Sequence, residues 1–252
     1  MGGKIEVLFT PAEFRELLPR NLASSTCVAF DVLRATSTMV TALANGTAGL
    51  IPVEEIAEAL ALRRERPDAL LAGERDGLRI TSSLTGGIEF NLGNSPREFT
   101  KDKVNGRTII STTTNGTRAL RACVGAEMVM IGSFLNLSAT ADVIIHRKPR
   151  HLLLVCAGTG ENAALEDTLA AGALCERIVA ELPSYELLDS ANIALRVYRQ
   201  AADDLTAAVQ SAQNARRLLA NPELRDDVEF CLRRDAHPIT ALMGVDGIVK
   251  RS

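Results

Sequence analysis

Seven short apolar runs rich in β-branched residues, separated by stretches of helical periodicity, constrain this chain more than any other feature. They fall at residues 4–9, 26–32, 48–53, 69–73, 107–113, 127–132 and 151–157, and the spacing predicts helices over 11–18, 36–45, 54–65, 116–123 and 136–146. Strands that alternate with crossover helices build a parallel sheet covered on both faces, so the expected fold is a three-layer α/β/α with a largely parallel sheet. Past residue 163 the pattern turns helical, with further helices expected near 188–201, 204–220 and 222–233. We therefore expect one α/β domain over 1–252 with a mainly helical C-terminal third, a subregion over 163–235. Residues 74–98 interrupt the rhythm with Gly77, Gly86, Gly87, Gly93 and Pro96, a stretch too long for an ordinary crossover loop and so a candidate functional loop.

Composition narrows the function classes. With 46% hydrophobic residues in 252, the chain can bury a core, and a formal net charge of −3 argues against a nucleic-acid binder, which needs a basic face. No apolar run reaches membrane-span length and no signal-peptide pattern precedes the first strand, which sets the expectation of a cytoplasmic protein without a membrane partner. The five cysteines include no C-x-x-C pair, and the three histidines (His146, His151, His237) form no H-E-x-x-H pattern. A metal site built on histidine or cysteine is not expected.

In parallel sheets ligands sit beyond the carboxyl ends of strands, and four polar clusters occupy such places. Asp31-Val32-Leu33-Arg34-Ala35-Thr36-Ser37-Thr38 sets a carboxylate, a guanidinium and three hydroxyls at a helix start, a mixture suited to a metal plus an oxyanion. The plainer alternative has Thr36 or Ser37 capping the helix and Asp31 pairing with Arg34. Thr114-Asn115-Gly116-Thr117-Arg118 offers free N–H groups, a glycine for close approach and a forked donor, although as an isolated turn it reads equally as Asn-Gly with Thr117 as cap. Glu74 follows the fourth run, with Asn94-Ser95 closing the long loop after it. Gly158-Thr159 follows the seventh and leads to Asp167. Cys156 has no adjacent histidine or phosphatase-type C-x5-R arrangement and reads as a packing residue.

With these residues in view, the chain resembles the 2-phosphosulfolactate phosphatase family over nearly its whole length. The resemblance rests on Asp31 to Thr38, Ala72-Gly73-Glu74-Arg75, Leu92-Gly93-Asn94-Ser95-Pro96, Thr113-Thr114-Asn115-Gly116-Thr117 and Cys156-Ala157-Gly158. The family is known from the coenzyme M route. Membership implies an α/β, Mg²⁺-dependent hydrolysis of 2-phospho-3-sulfolactate to 3-sulfolactate and phosphate.

The resulting expectation is metal-assisted phosphomonoester hydrolysis on a small anionic phosphorylated substrate. Asp31 and Glu74 are the expected Mg²⁺ ligands, with Asp167 as a third candidate and Arg34 completing the catalytic set. Asn94, Ser95, Thr114, Asn115, Gly116, Thr117, Arg118, Gly158 and Thr159 are the expected substrate-binding residues. An aspartyl-phosphate route through Asp31, a phosphatase of another phosphorylated hydroxy acid and a non-catalytic small-anion binder stay open as alternatives. The C-terminal helices are free either to cover the site or to build a homo-oligomer.

Overall fold

The computed structural model describes residues 2–17 and 20–252. The first half runs β1 (Lys4–Leu8), a 3₁₀ turn entering α1 (Phe14–Leu17), β2 (Ser25–Phe30), α2 (Ala35–Ala44), β3 (Gly49–Val53), α3 (Ile56–Glu65) and β4 (Leu70–Arg75). Then come β5 (Leu78–Arg79), α4 (Ser82–Thr85), α5 (Lys101–Val104), β6 (Thr108–Thr112), α6 (Gly116–Ala122), β7 (Met128–Gly132), α7 (Leu137–Arg147) and β8 (His151–Cys156). The remainder is α8 (Leu165–Glu181), β9 (Glu186–Leu187), α9 (Asp189–Ala201), α10 (Leu205–Gln210), α11 (Gln213–Leu219), α12 (Asp226–Leu232), β10 (Ala241–Met243) and β11 (Val249–Arg251). The seven expected strands and the helical C-terminal third are present. The helix expected over 11–18 starts as a 3₁₀ turn, and Leu18 lies outside the described residues. The single helix expected over 204–220 is two, divided at Ser211 and Ala212.

All the strands join one mixed sheet in the order β5-β4-β6-β3-β11-β10-β7-β2-β8-β1-β9. Two blocks are internally parallel: β4, β6 and β3 on one side, and β7, β2, β8, β1 and β9 on the other. The C-terminal hairpin β10–β11 lies between them and pairs antiparallel with each neighbour. Three successive antiparallel pairings reverse strand direction between the blocks. In a flat sheet their carboxyl ends would face opposite edges. Five strand steps separate β6 from β2. At roughly 20–25° of twist per step the accumulated rotation is on the order of 100–125°, enough to swing the two sets of carboxyl ends toward one another.

Alternation along the strands sets the layers. Cys27 and Ala29 of β2, Val129 and Ile131 of β7, and Leu153 and Val155 of β8 face one core, which also takes Leu50 of β3, Ala72 of β4 and Ile109 of β6. Residues of α2 (Met39, Val40, Leu43) and α6 (Ala119, Leu120) fill this shared face. The opposite residues of the larger block, including Val28, Phe30, Met130 and Leu154, meet α7, α8 and α9. The smaller block's outer face packs Leu71 and Ile110 against Ala59 of α3 and against Ile80 and Phe90 from the long loop. Close packing of α8 on α9 requires Gly172, because a Cβ there would overlap the Ala194 carbonyl oxygen. Among the described residues no helix is long and apolar enough to cross a membrane.

Candidate active site

A cavity of about 210 Å³ opens where the two sets of strand ends converge. The larger block contributes Asp31, Leu33 and Arg34 from beyond β2 and Gly158, Thr159 and Gly160 from beyond β8. The smaller block contributes Glu74, Asp76 and Gly77 from the β4–β5 turn, Asn94 from the long loop, and Thr114 and Asn115 from beyond β6. Helix α11 closes the wall with Asn214, Arg217 and Leu218. The C-terminal third thus covers the site.

Asp31 and Glu74 are both buried. The Asp31 Oδ1 accepts a hydrogen bond from the Ala35 N–H at 3.0 Å, while Oδ2 has no donor among the described residues. Burial is the main cause that lifts the Asp31 carboxyl to about 7; nearby Glu74 and Glu166 add to the rise, and the Ala35 N–H and Arg34 oppose it. Glu74 accepts from the Gly77 N–H at 2.7 Å on one oxygen and from the Thr114 N–H and hydroxyl, at 2.8 and 2.9 Å, on the other. It therefore locks the β4–β5 turn and the turn beyond β6 into one frame. All its described hydrogen-bond partners are neutral.

Arg34 lines the cavity, but its charge is engaged elsewhere. Its guanidinium donates to Asp227 of α12 at 2.7 Å and to the Gly77 carbonyl at 2.6 Å. The plainer sequence alternative, a pair between Asp31 and Arg34, is therefore not the arrangement formed. Asp227 is fully buried and also accepts from the Ser95 hydroxyl at 2.6 Å and from Arg97 Nε at 2.8 Å. Ser95 thus serves Asp227 and stays out of the cavity lining, whereas its neighbour Asn94 lines it, its carbonyl tied to the Thr38 hydroxyl at 2.8 Å.

The turn beyond β6 divides in the same way. Thr114 and Asn115 line the cavity. Asn115 donates through Nδ2 to the Gly158 carbonyl at 2.9 Å, joining the two blocks, and its buried Oδ1 has no partner. Gly116 is needed behind them: a Cβ there would sit 2.5 Å from Ala35 Cβ and 2.8 Å from Asp31 Oδ2, so only glycine lets α6 approach the Asp31 carboxylate this closely. Thr117 returns its hydroxyl to the Thr113 carbonyl. Arg118 is turned outward to Glu161 at 3.0 Å and is not among the lining residues. Asp167 lies beneath the cavity floor, accepting from the N–H groups of Val32 and Gly158 at 2.8 and 3.1 Å. It is a brace between the ends of β2 and β8. Burial, then repulsion from Glu166 and Asp31, holds its carboxyl well above the ordinary range.

Asn214, Arg217 and Asp227 have no counterpart in the sequence reading, which reaches Glu166 only as the neighbour of Asp167. Asn214 donates from Nδ2 to the Thr159 hydroxyl at 2.7 Å and to Glu166 at 2.8 Å, and Arg217 donates to its Oδ1 at 3.3 Å. The available signal was local: Asn214 and Arg217 are one turn apart on the face that also carries buried Leu218. Cys156 is a buried thiol pushed well above its ordinary range, first by burial and then by the charge of Asp167, which agrees with a packing role.

The donor set suits a hard cation. Among the described residues no three His, Cys, Asp or Glu side chains cluster as ligands. Mg²⁺, however, takes one or two carboxylates and completes its shell with water and substrate oxygens. Asp31 with its unpartnered Oδ2, Glu74, and Asn115, whose buried Oδ1 has no partner, are the oxygen-bearing candidates among the residues that line the cavity.

Comparison with known proteins bears on this geometry. The family model for 2-phosphosulpholactate phosphatase matches residues 12–243. A probable 2-phosphosulfolactate phosphatase of Caldicellulosiruptor saccharolyticus is 37% identical over 233 residues, covering 90% of this chain and 93% of its own. One of Thermotoga maritima is 40% identical over 210 residues, covering 83% of this chain and 85% of its own. One of Caldanaerobacter subterraneus is 37% identical over 249 residues, covering 97% and 98%.

Proposed function

Since the chain belongs to the 2-phosphosulpholactate phosphatase family, we propose that its cavity hydrolyses 2-phospho-3-sulfolactate to 3-sulfolactate and phosphate with Mg²⁺ bound by Asp31 and Glu74. The observation that carries the reading is the meeting of these two carboxylates, from opposite blocks of the sheet, in one cavity with no cation paired to either among the described residues. An anionic substrate would be repelled by such a wall unless a cation intervened.

Asp31 and Glu74 would hold the Mg²⁺, which would supply charge neutralisation for the phosphoryl oxygens and make water more acidic. Asp31 offers the open Oδ2, and Glu74 fixes the Thr114 and Gly77 turns at the edge of the same cavity. Asn94, Asn115 and the Gly158-Thr159 turn present polar groups to the substrate. Arg34, already neutralised by Asp227, contributes a fixed dipolar group more than a free charge. In the overall reaction the P–O ester bond breaks, the water oxygen bonds to phosphorus, and the leaving alkoxide takes up a proton.

The test is phosphate release from 2-phospho-3-sulfolactate with Mg²⁺ and after chelation. We expect turnover that chelation abolishes and added Mg²⁺ restores, with Asp31→Asn and Glu74→Gln both inactive and folded. No phosphate release under either condition overturns the reading. Release only from other phosphorylated hydroxy acids in a parallel panel would replace the substrate while keeping the reaction class. Acid quenching during turnover separates the two routes: a phosphoryl group retained on Asp31 marks the aspartyl-phosphate, and an unphosphorylated protein marks direct attack by water.

A further inference from the structure

We propose that Arg217 reads the second anionic group of the substrate, the sulfonate or carboxylate beside the phosphoryl group, and so sets a preference for polyanionic phosphoesters. This assignment rests on the phosphatase reading above. It begins with the charges of the cavity. Arg34 is held by Asp227 at 2.7 Å and Arg118 by Glu161 at 3.0 Å outside the lining. Arg217 lines the cavity, and no carboxylate lies within 4.0 Å of it among the described residues. Its described partner is a neutral amide oxygen.

The position of that guanidinium is set by groups behind it. Asn214 Nδ2 donates to both Thr159 and Glu166, which fixes the amide orientation and turns Oδ1 toward Arg217. Glu166 is 1% exposed, and the oxygen it offers to Asn214 Nδ2 holds the amide to which Arg217 donates. On the other side the guanidinium lies over Gly77, where a Cβ would be 3.5 Å from Nε and 3.7 Å from Cζ. Gly77 is the residue whose N–H Glu74 holds and whose carbonyl Arg34 holds. Arg217 therefore lies against the Gly77 turn that Glu74 closes, in the same cavity as the carboxylates assigned to the phosphoryl end. A planar fork of donors left without a counter-charge at that place suits a carboxylate or sulfonate.

The experiment compares kcat/KM of the wild type, Arg217→Ala and Arg217→Lys on three phosphoesters. These are 2-phospho-3-sulfolactate, 2-phospholactate, which lacks the sulfonate, and isopropyl phosphate, which lacks both extra anions. Arg217→Ala should lose about 10- to 100-fold on 2-phospho-3-sulfolactate and less than about threefold on isopropyl phosphate, the span expected for one charged hydrogen-bonded contact. Arg217→Lys should recover part of the loss, keeping the charge without the fork. An equal loss on all three substrates, or no loss on any, overturns the assignment. Failure of the wild type on 2-phospho-3-sulfolactate is a failure of the function reading, seen without any variant. Arg217 is then judged on the ratio between 2-phospholactate and isopropyl phosphate.

Discussion

Asp227 gathers Arg34, Ser95 and Arg97 behind the cavity, and replacing it with asparagine isolates what one charge does. The residue is fully buried, Arg34 is 3% exposed, and their ion pair measures 2.7 Å. Asparagine keeps the size and leaves an oxygen for the Ser95 hydroxyl, but Arg34 becomes a buried cation with only the Gly77 carbonyl as partner. Breaking one side of such a pair costs about 3–5 kcal/mol. Arg97 adds little: its side chain is 35% exposed and it retains Asp226 and the Glu223 carbonyl, so its share is under about 1 kcal/mol. For a chain of this size each kcal/mol lowers Tm by about 2–4 °C, so Asp227→Asn should melt roughly 6–20 °C below the wild type. Calorimetry or circular dichroism reads this directly. Adding Arg34→Met removes the stranded charge, so the double variant should be more stable than Asp227→Asn alone. A fall of less than about 3 °C, or a double variant whose losses simply add, would refute the reasoning that the pair carries this strength.

Three further outcomes follow from the same geometry. Gly116→Ala must push α6 away from Asp31 and Ala35, at a cost of about 1–3 kcal/mol, and should cut phosphate release more than it lowers Tm; wild-type kinetics would remove the close approach from the argument. The Asp31 carboxyl titrates at about 7 in the fold against an ordinary 3.8, so between those values the native state holds a proton that the unfolded chain has released. Its contribution to stability is therefore fully present below about pH 4 and lost as pH rises through about 7. In chelator, the Tm of the wild type minus that of Asp31→Asn should fall over this window, and a flat or rising difference contradicts the burial effect. Arg118→Ala should change kcat/KM by less than about threefold, because its partner is the half-exposed Glu161; a larger loss would bring Arg118 into the substrate's reach.

The seven strands were legible because each centres on a short run of apolar or β-branched residues with turn chemistry on either side, and the strand-end rule then singles out Asp31, Glu74, Asn115 and Gly158 from the sequence alone. What the rule could not convey is direction. Strands β10 and β11 span three residues each, too short for a period-two signal, yet their antiparallel pairing reverses one block against the other. Asp227 was hidden for a related reason: in Asp226-Asp227 at the start of a helix it looks like an acid that complements the helix dipole, and nothing local reveals a buried arginine 193 positions earlier. Arg216 and Arg217 sit together on a short helix and both are exposed, so the sequence alone makes each look like solvated surface, although Arg217 also lines the cavity.

The reversal also explains why the site divides its labour between the blocks. A carboxyl-end site in a uniformly parallel sheet gathers its residues from adjacent strands, whose backbone bonds fix their spacing. Here Asp31 and Gly158 belong to one block and Glu74 and Thr114 to the other, and five strand steps intervene along the sheet from β6 to β2. Their spacing must be fixed by contacts across the cavity itself. Asn115 to the Gly158 carbonyl, Arg34 to the Gly77 carbonyl, and Gly116 against Asp31 are those contacts, and each joins one block to the other. Side chains that first read as substrate binders therefore carry a second duty, holding two half-sites in register, and their loss would act on geometry before it acted on affinity.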